Sequence, residues 1–78
     1  MKMTATIIAM EFLPVDKVPA HSLMVDDHIL VDGEIVLVTA VMDGEDDTII
    51  VEYADDYDEV NDFTIDYDAM ISIYMLFD

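Results

Sequence analysis

Apolar and polar positions alternate along most of this chain with a period of two, the repeat of a strand with two unlike faces. Thr4, Thr6, Ile8, Met10 and Phe12 alternate with Ala5, Ile7, Ala9, Glu11 and Leu13. Both sets are partly apolar, so the pattern predicts a strand covered on both sides. Pro14 ends it, because proline brings no N–H to a ladder. Val15 to Pro19 reads as an irregular connection, and Ala20 to Leu23 as one helical turn. His28 to Val31 is a short strand. Asp32-Gly33 is a hairpin signal, since both central residues of a type I′ turn need positive φ. Glu34 to Met42 follows, with Ile35, Leu37 and Val41 on one face and Val36, Val38 and Met42 on the other. A strand apolar on both faces is central, strongly bent, or packed against another subunit. Asp43 to Asp47 is the next turn, Thr48 to Ala54 a strand, and Asp55 to Asn61 an acidic loop. Phe63, Ile65 and Tyr67 alternate with Thr64 and Asp66. Asp68 to Met70 reads as a 3-10 turn before the last strand, in which Ile71, Ile73, Met75 and Phe77 alternate with Ser72, Tyr74 and Leu76.

Five to six short strands joined by tight turns, without a long helix, predict an all-β fold, a small antiparallel barrel forming one domain over residues 1–78. The stretch "VPAHSLMVDDHILVDGEIVLVTAV", Val18 to Val41, resembles the opening of small SH3-like barrels. Their pattern is a short turn, Leu-x-Val-Gly-Asp, a strand, Asp-Gly, then a long bent strand. "IDYDAMISIY", Ile65 to Tyr74, is similar to the 3-10 turn that precedes their final strand. Asp26 stands where that pattern has glycine. The resemblance implies a scaffold for binding peptides or nucleic acids and no catalytic residues.

Charge changes the picture most. After Lys17 there is no Lys or Arg, while seventeen of the nineteen carboxylates lie in that part of the chain, and the formal net charge is −17. Low hydropathy with such charge would mean disorder. Here 55% of residues are hydrophobic, and Val and Ile supply eighteen of them. The chain therefore reads as a folded body with an anionic surface. Self-repulsion on that scale lowers stability, and a cationic partner would offset it. Direct binding to nucleic acid is excluded by the sign of the charge. The absence of cysteine removes disulfides and thiolate metal sites and points to a reducing, cytoplasmic compartment. The apolar stretch Ala5 to Met10 is cut short by Glu11, unlike a signal peptide, and no run has the length of a membrane span.

The candidate site is the acidic region Asp43 to Asp68, with twelve carboxylates in twenty-six residues. Its partner-binding candidates are Asp43, Glu45, Asp46, Asp47, Asp55, Asp56, Asp58, Glu59, Asp62, Asp66 and Asp68, with Tyr57 as an exposed aromatic able to meet Lys or Arg through its ring face. Pairs such as Asp56/Asp58 and Asp66/Asp68, on extended backbone, would stand roughly 6–7 Å apart, a spacing like that of neighbouring phosphates. The plainer readings are a solubilising surface or adaptation to salt, although a merely soluble surface mixes both signs. A calcium loop would need glycine at its sixth position and glutamate at its twelfth. Counted from Asp43 these are Thr48 and Ala54, and counted from Asp55 they are Val60 and Asp66. His21 and His28, with Asp26 and Asp27 between them, offer a His–Asp pair for general-base work, but neither Ser22 nor Ser72 lies in a nucleophile motif. Tyr53 and Tyr67 are expected in the core. The expectation is a non-enzymatic acidic module without cofactor or metal that binds a basic protein, in concrete form a phage-encoded DNA mimic blocking a DNA- or RNA-binding host factor. The alternative is a small virion or assembly subunit that forms a homodimer or larger homo-oligomer through an apolar strand face.

Overall fold

The computed structural model describes residues 11–77. The part of the N-terminal strand expected before Glu11, and Asp78, lie outside them. The described chain is all-β: β1 (Glu11–Pro19), a 3-10 turn (Ala20–Ser22), β2 (His28–Val31), β3 (Glu34–Asp43), β4 (Thr48–Ala54), β5 (Val60–Asp66) and β6 (Met70–Phe77). The six strands form one antiparallel sheet in the order β1-β6-β2-β3-β4-β5. The sheet is not closed: β1 and β5 are its edges. It nevertheless curls. Phe63 and Ile65 on edge strand β5, and Ile71 and Ile73 on β6, pack against the same buried cluster of Ala20, Leu23, Ile29, Val36, Val38, Ile49 and Val51.

Three differences from the sequence pattern have plain causes. First, β1 does not stop at Pro14. It runs to Pro19, with a break in register between Pro14 and Asp16. β1 is an edge strand, and a proline at a bulge there breaks no shared ladder. Second, β5 begins at Val60 and ends at Asp66, so Tyr67 lies in a turn and not in the core; it is 43% exposed. Third, the 3-10 turn is the one at Ala20–Ser22. Before the last strand a single hydrogen bond from Ala69 N–H to Asp66 C=O, at 3.0 Å, closes a tight turn that does not extend into a helix.

The two-faced apolar pattern of β3 resolves through a bulge. Val38 pairs with Tyr53 but Ala40 pairs with Glu52, leaving Thr39 as the extra residue. A bulge shifts the alternation by one. Val36 and Val38 face the core before it, and Val41 faces the core after it, while Leu37 and Met42 face outward. Thr39 is held by its hydroxyl, which donates to Glu52 Oε1 at 2.8 Å.

The register also draws one uncharged row across the outward face. Pro14, Tyr74, His28, Leu37, Ala54 and Val60 are successive cross-strand partners, one from each strand. None is a carboxylate, and Phe12, which contacts His28 at a ring distance of 5.0 Å, extends the row.

Candidate functional site: an acidic sheet edge

Turn chemistry places most of the acidic residues. Five described residues other than glycine have positive φ, and all five are aspartates: Asp26 (78°), Asp32 (51°), Asp46 (55°), Asp47 (60°) and Asp58 (59°). Side chains with a Cβ clash with the backbone in this left-handed region, and Asp and Asn suffer least because they can bond locally. Asp26 thus takes a conformation that glycine adopts freely. Gly33, at φ 83°, completes the β2–β3 hairpin beside Asp32. Other aspartates hold turns with their carboxylates. Asp55 Oδ1 accepts from Tyr57 N–H at 2.8 Å and Glu59 N–H at 3.0 Å, and Asp27 Oδ2 accepts from Met24 N–H at 2.9 Å.

The candidate residues gather in two groups. In the first, Tyr67 N–H donates to Asp47 C=O at 2.8 Å, which docks the β5–β6 turn on the β3–β4 turn. This brings Asp43, Glu45, Asp46 and Asp47 to the same end of the sheet as Asp66 and Asp68. The glycine in that turn is required by space: a Cβ on Gly44 would overlap the hydroxyl of Thr48, which donates to Glu45 C=O at 2.5 Å. His21 stacks on Tyr67 with ring centroids 4.4 Å apart, and its Nε2 stands 4.0 Å from Asp68 Oδ1. The second group, Asp55, Asp56, Asp58 and Glu59 around Tyr57, sits at the other end of β4 and β5. The seven residues of β4 separate the two ends by roughly 20 Å. Tyr57 is 86% exposed. The pairs Asp56/Asp58 and Asp66/Asp68 do not lie on extended strands, because each includes a turn residue.

Asp62 joins the groups. It lies midway along β5, directly opposite Glu52 on the outward face. Glu52 belongs to the site although the loop-centred reading passed over it; its signal was the alternation Ile50, Glu52, Ala54 against Ile49, Val51, Tyr53. Asp62 and Asp66 share the outward face four residues apart, roughly 13 Å along the strand. Carboxylates therefore recur along β5, from Asp58 and Glu59 through Asp62 to Asp66 and Asp68, on a strand that is an edge of the sheet among the described residues. Lys17, on β1 at the opposite edge of the sheet, is the only Lys or Arg among the described residues.

Among the described residues no group of three or more histidine or carboxylate side chains converges on a metal-binding arrangement. His21 Nδ1 and Ser22 Oγ approach to 3.5 Å as exposed sequence neighbours, too long for a firm hydrogen bond. Asp27 is engaged with the Met24 amide, and His28 with the Phe12 ring. No helix among the described residues is long and apolar enough to cross a membrane. Comparison of the chain with family models, with curated proteins and with solved structures finds no match.

Proposed function

We propose that this protein is a non-enzymatic acidic binding module that occupies the basic, nucleic-acid-binding surface of another protein, in the manner of a DNA mimic. One observation carries the reading: carboxylates recur along the edge strand β5, at Asp62 and Asp66, and crowd both turns that flank it, with no Lys or Arg from β2 to β6. Turn geometry alone does not account for this. Asn or Gly would serve the left-handed positions as well as Asp, yet the chain has one asparagine and two glycines against fourteen aspartates. The six curled strands, the 3-10 turn and the Asp32–Gly33 hairpin are compatible with an SH3-like barrel, a scaffold suited to presenting such an edge.

The reading predicts that charge position matters as well as charge total. Asn or Gln at Asp55, Asp56, Asp58 and Glu59 weakens the partner complex and slows association, most at low salt. The same number of neutralisations at Glu11, Asp16, Asp26 and Asp27, away from β5, does less. Tyr57→Ala mainly speeds dissociation, as loss of a desolvated aromatic anchor does. Surface plasmon resonance against the captured partner separates the sets, and equal losses from both would show a diffuse charge effect and no shaped surface.

A second reading, a homo-oligomeric structural subunit, is favoured by the uncharged row from Pro14 to Val60, because contiguous apolar surface marks interaction sites. It requires a mass above the monomer in sedimentation or light scattering at micromolar concentration.

A further inference from the structure

The edge strand β5 and the gap beside it form a second feature of the same region. The hydrogen bonds that flank the β4–β5 ladder are Asp55 N–H to Glu59 C=O and Tyr67 N–H to Asp47 C=O. In an antiparallel ladder hydrogen-bonded pairs alternate. These two bonds fix the phase: residues 61, 63 and 65 direct their N–H and C=O to β4. The N–H and C=O of Val60, Asp62 and Thr64 therefore point outward, where no described strand pairs with them. Next to this edge the open seam between β5 and β6 holds a cleft of about 320 Å³. Its lining includes Ile29, Phe63, Ile65 and Ile71, which belong to the core packing, and Met70 and Tyr74. The apolar seam thus lies on the core side of β5, and Asp62 and Asp66 lie on its outward side.

Proteins usually blunt a free edge with lysine, proline, a bulge or a covering segment. β5 has no lysine, no proline and no register break. What it carries is charge of one sign. Pairing of two β5 edges from separate copies would set Asp62 and Asp66 against like charges, which is unfavourable across strands. The same carboxylates favour a strand bearing Lys or Arg.

We propose that β5 receives an extended segment of the basic partner as an added strand, whose apolar side chains fill the β5–β6 seam while its alternate Lys or Arg side chains face Asp62 and Asp66. The proposal rests on the acidic-module reading and adds the docking mode and the kind of segment bound. Main-chain hydrogen bonds supply affinity in such strand addition, and the pockets beside the edge choose alternate side chains.

The probe is a synthetic octapeptide of alternating lysine and valine. Its controls are a lysine–serine octapeptide of equal charge and a lysine–valine octapeptide N-methylated on alternate amides. Thr64→Pro is the matching protein variant: the Thr64 N–H faces outward, so proline there removes no bond to β4. Titration by fluorescence anisotropy should show lysine–valine binding that falls at least tenfold with the lysine–serine peptide, with the N-methylated peptide and with Thr64→Pro. The N-methylated control uses the unaltered protein and so holds even if Thr64→Pro fails to fold. Equal binding of all three peptides would overturn strand addition and leave the acidic module standing. Binding of none at low salt would overturn both. A concentration-dependent dimer abolished by Thr64→Pro would place a second copy on the edge and overturn the basic partner.

Discussion

At single residues the chain spends aspartate where backbone geometry is hardest. Asp26, at φ 78°, sits in the turn that leads into β2, and its N–H donates to Val38 C=O at 2.9 Å. The fold therefore depends on a left-handed residue at that point. Asp26→Ala keeps the Cβ but lacks the polar side chain that lets aspartate tolerate the left-handed region, and should destabilise the protein by about 1–2 kcal/mol. Asp26→Gly removes the Cβ and should be neutral or stabilising. Urea denaturation of the pair checks this, and an alanine variant as stable as the glycine variant would count against a strained turn. The identity of the turn residues was readable in the sequence, since Asp26-Asp27 and Asp32-Gly33 are turn signals. Their conformation was less so: a run such as Asp46-Asp47 marks a turn without fixing which residue takes positive φ, because that follows from strand register on either side.

Strands show the same division. Period-two alternation located β2, β3, β4 and β6 because each has a core face of branched aliphatics, such as Val36 and Val38 or Ile49 and Val51. The start of β5 was hidden because Val60, Asn61 and Asp62 continue an acidic run, and their strand state comes from pairing with Ala54, Tyr53 and Glu52. The sequence pattern ends β1 at Pro14 because local rules do not reveal which strand is an edge. The Thr39 bulge was visible only as an alternation apolar on both sides, and the physical reason is that one extra residue inverts the faces beyond it. This gives a direct test. Deleting Thr39 joins Val38 to Ala40 just as their partners Tyr53 and Glu52 are joined, so Val41 should stay inward, Met42 outward, and the turn Asp43–Asp47 in step with β4. Dispersed amide NMR peaks are the expected outcome, and Thr39→Ala, which removes only the hydroxyl donated to Glu52, should also keep the fold and cost about 1 kcal/mol. A deletion variant without dispersed peaks would show that Thr39 is not simply an extra residue in the ladder.

Over the whole molecule two opposing terms meet. The core among the described residues is small, seven buried residues in an open sheet, and the net charge is −17. At about 0.15 M ionic strength the Debye length is roughly 8 Å, so carboxylates within one turn still repel, and more salt screens them further. The melting temperature should climb steadily from low to molar sodium chloride in a calorimetric scan. A flat profile would mean that repulsion contributes little to stability. The site itself was legible as composition and not as shape. The sequence pattern supplied the acidic residues from Asp43 to Asp68, but their division into two end groups joined by Asp62 along β5 arises from long-range pairing. So does the seam beside that edge, since Phe63 and Met70 are separated by a turn and meet across an unpaired gap. The central claim is that this edge takes the place of nucleic acid on a basic protein. The most direct measurement immobilises the protein, captures partners from a lysate at low salt, and challenges the washed complex with duplex DNA. The account predicts that captured proteins are basic nucleic-acid binders, that duplex DNA displaces them in a concentration-dependent way, and that neutral dextran does not. Partners that stay bound at saturating DNA, or no basic partner at any salt, would contradict it.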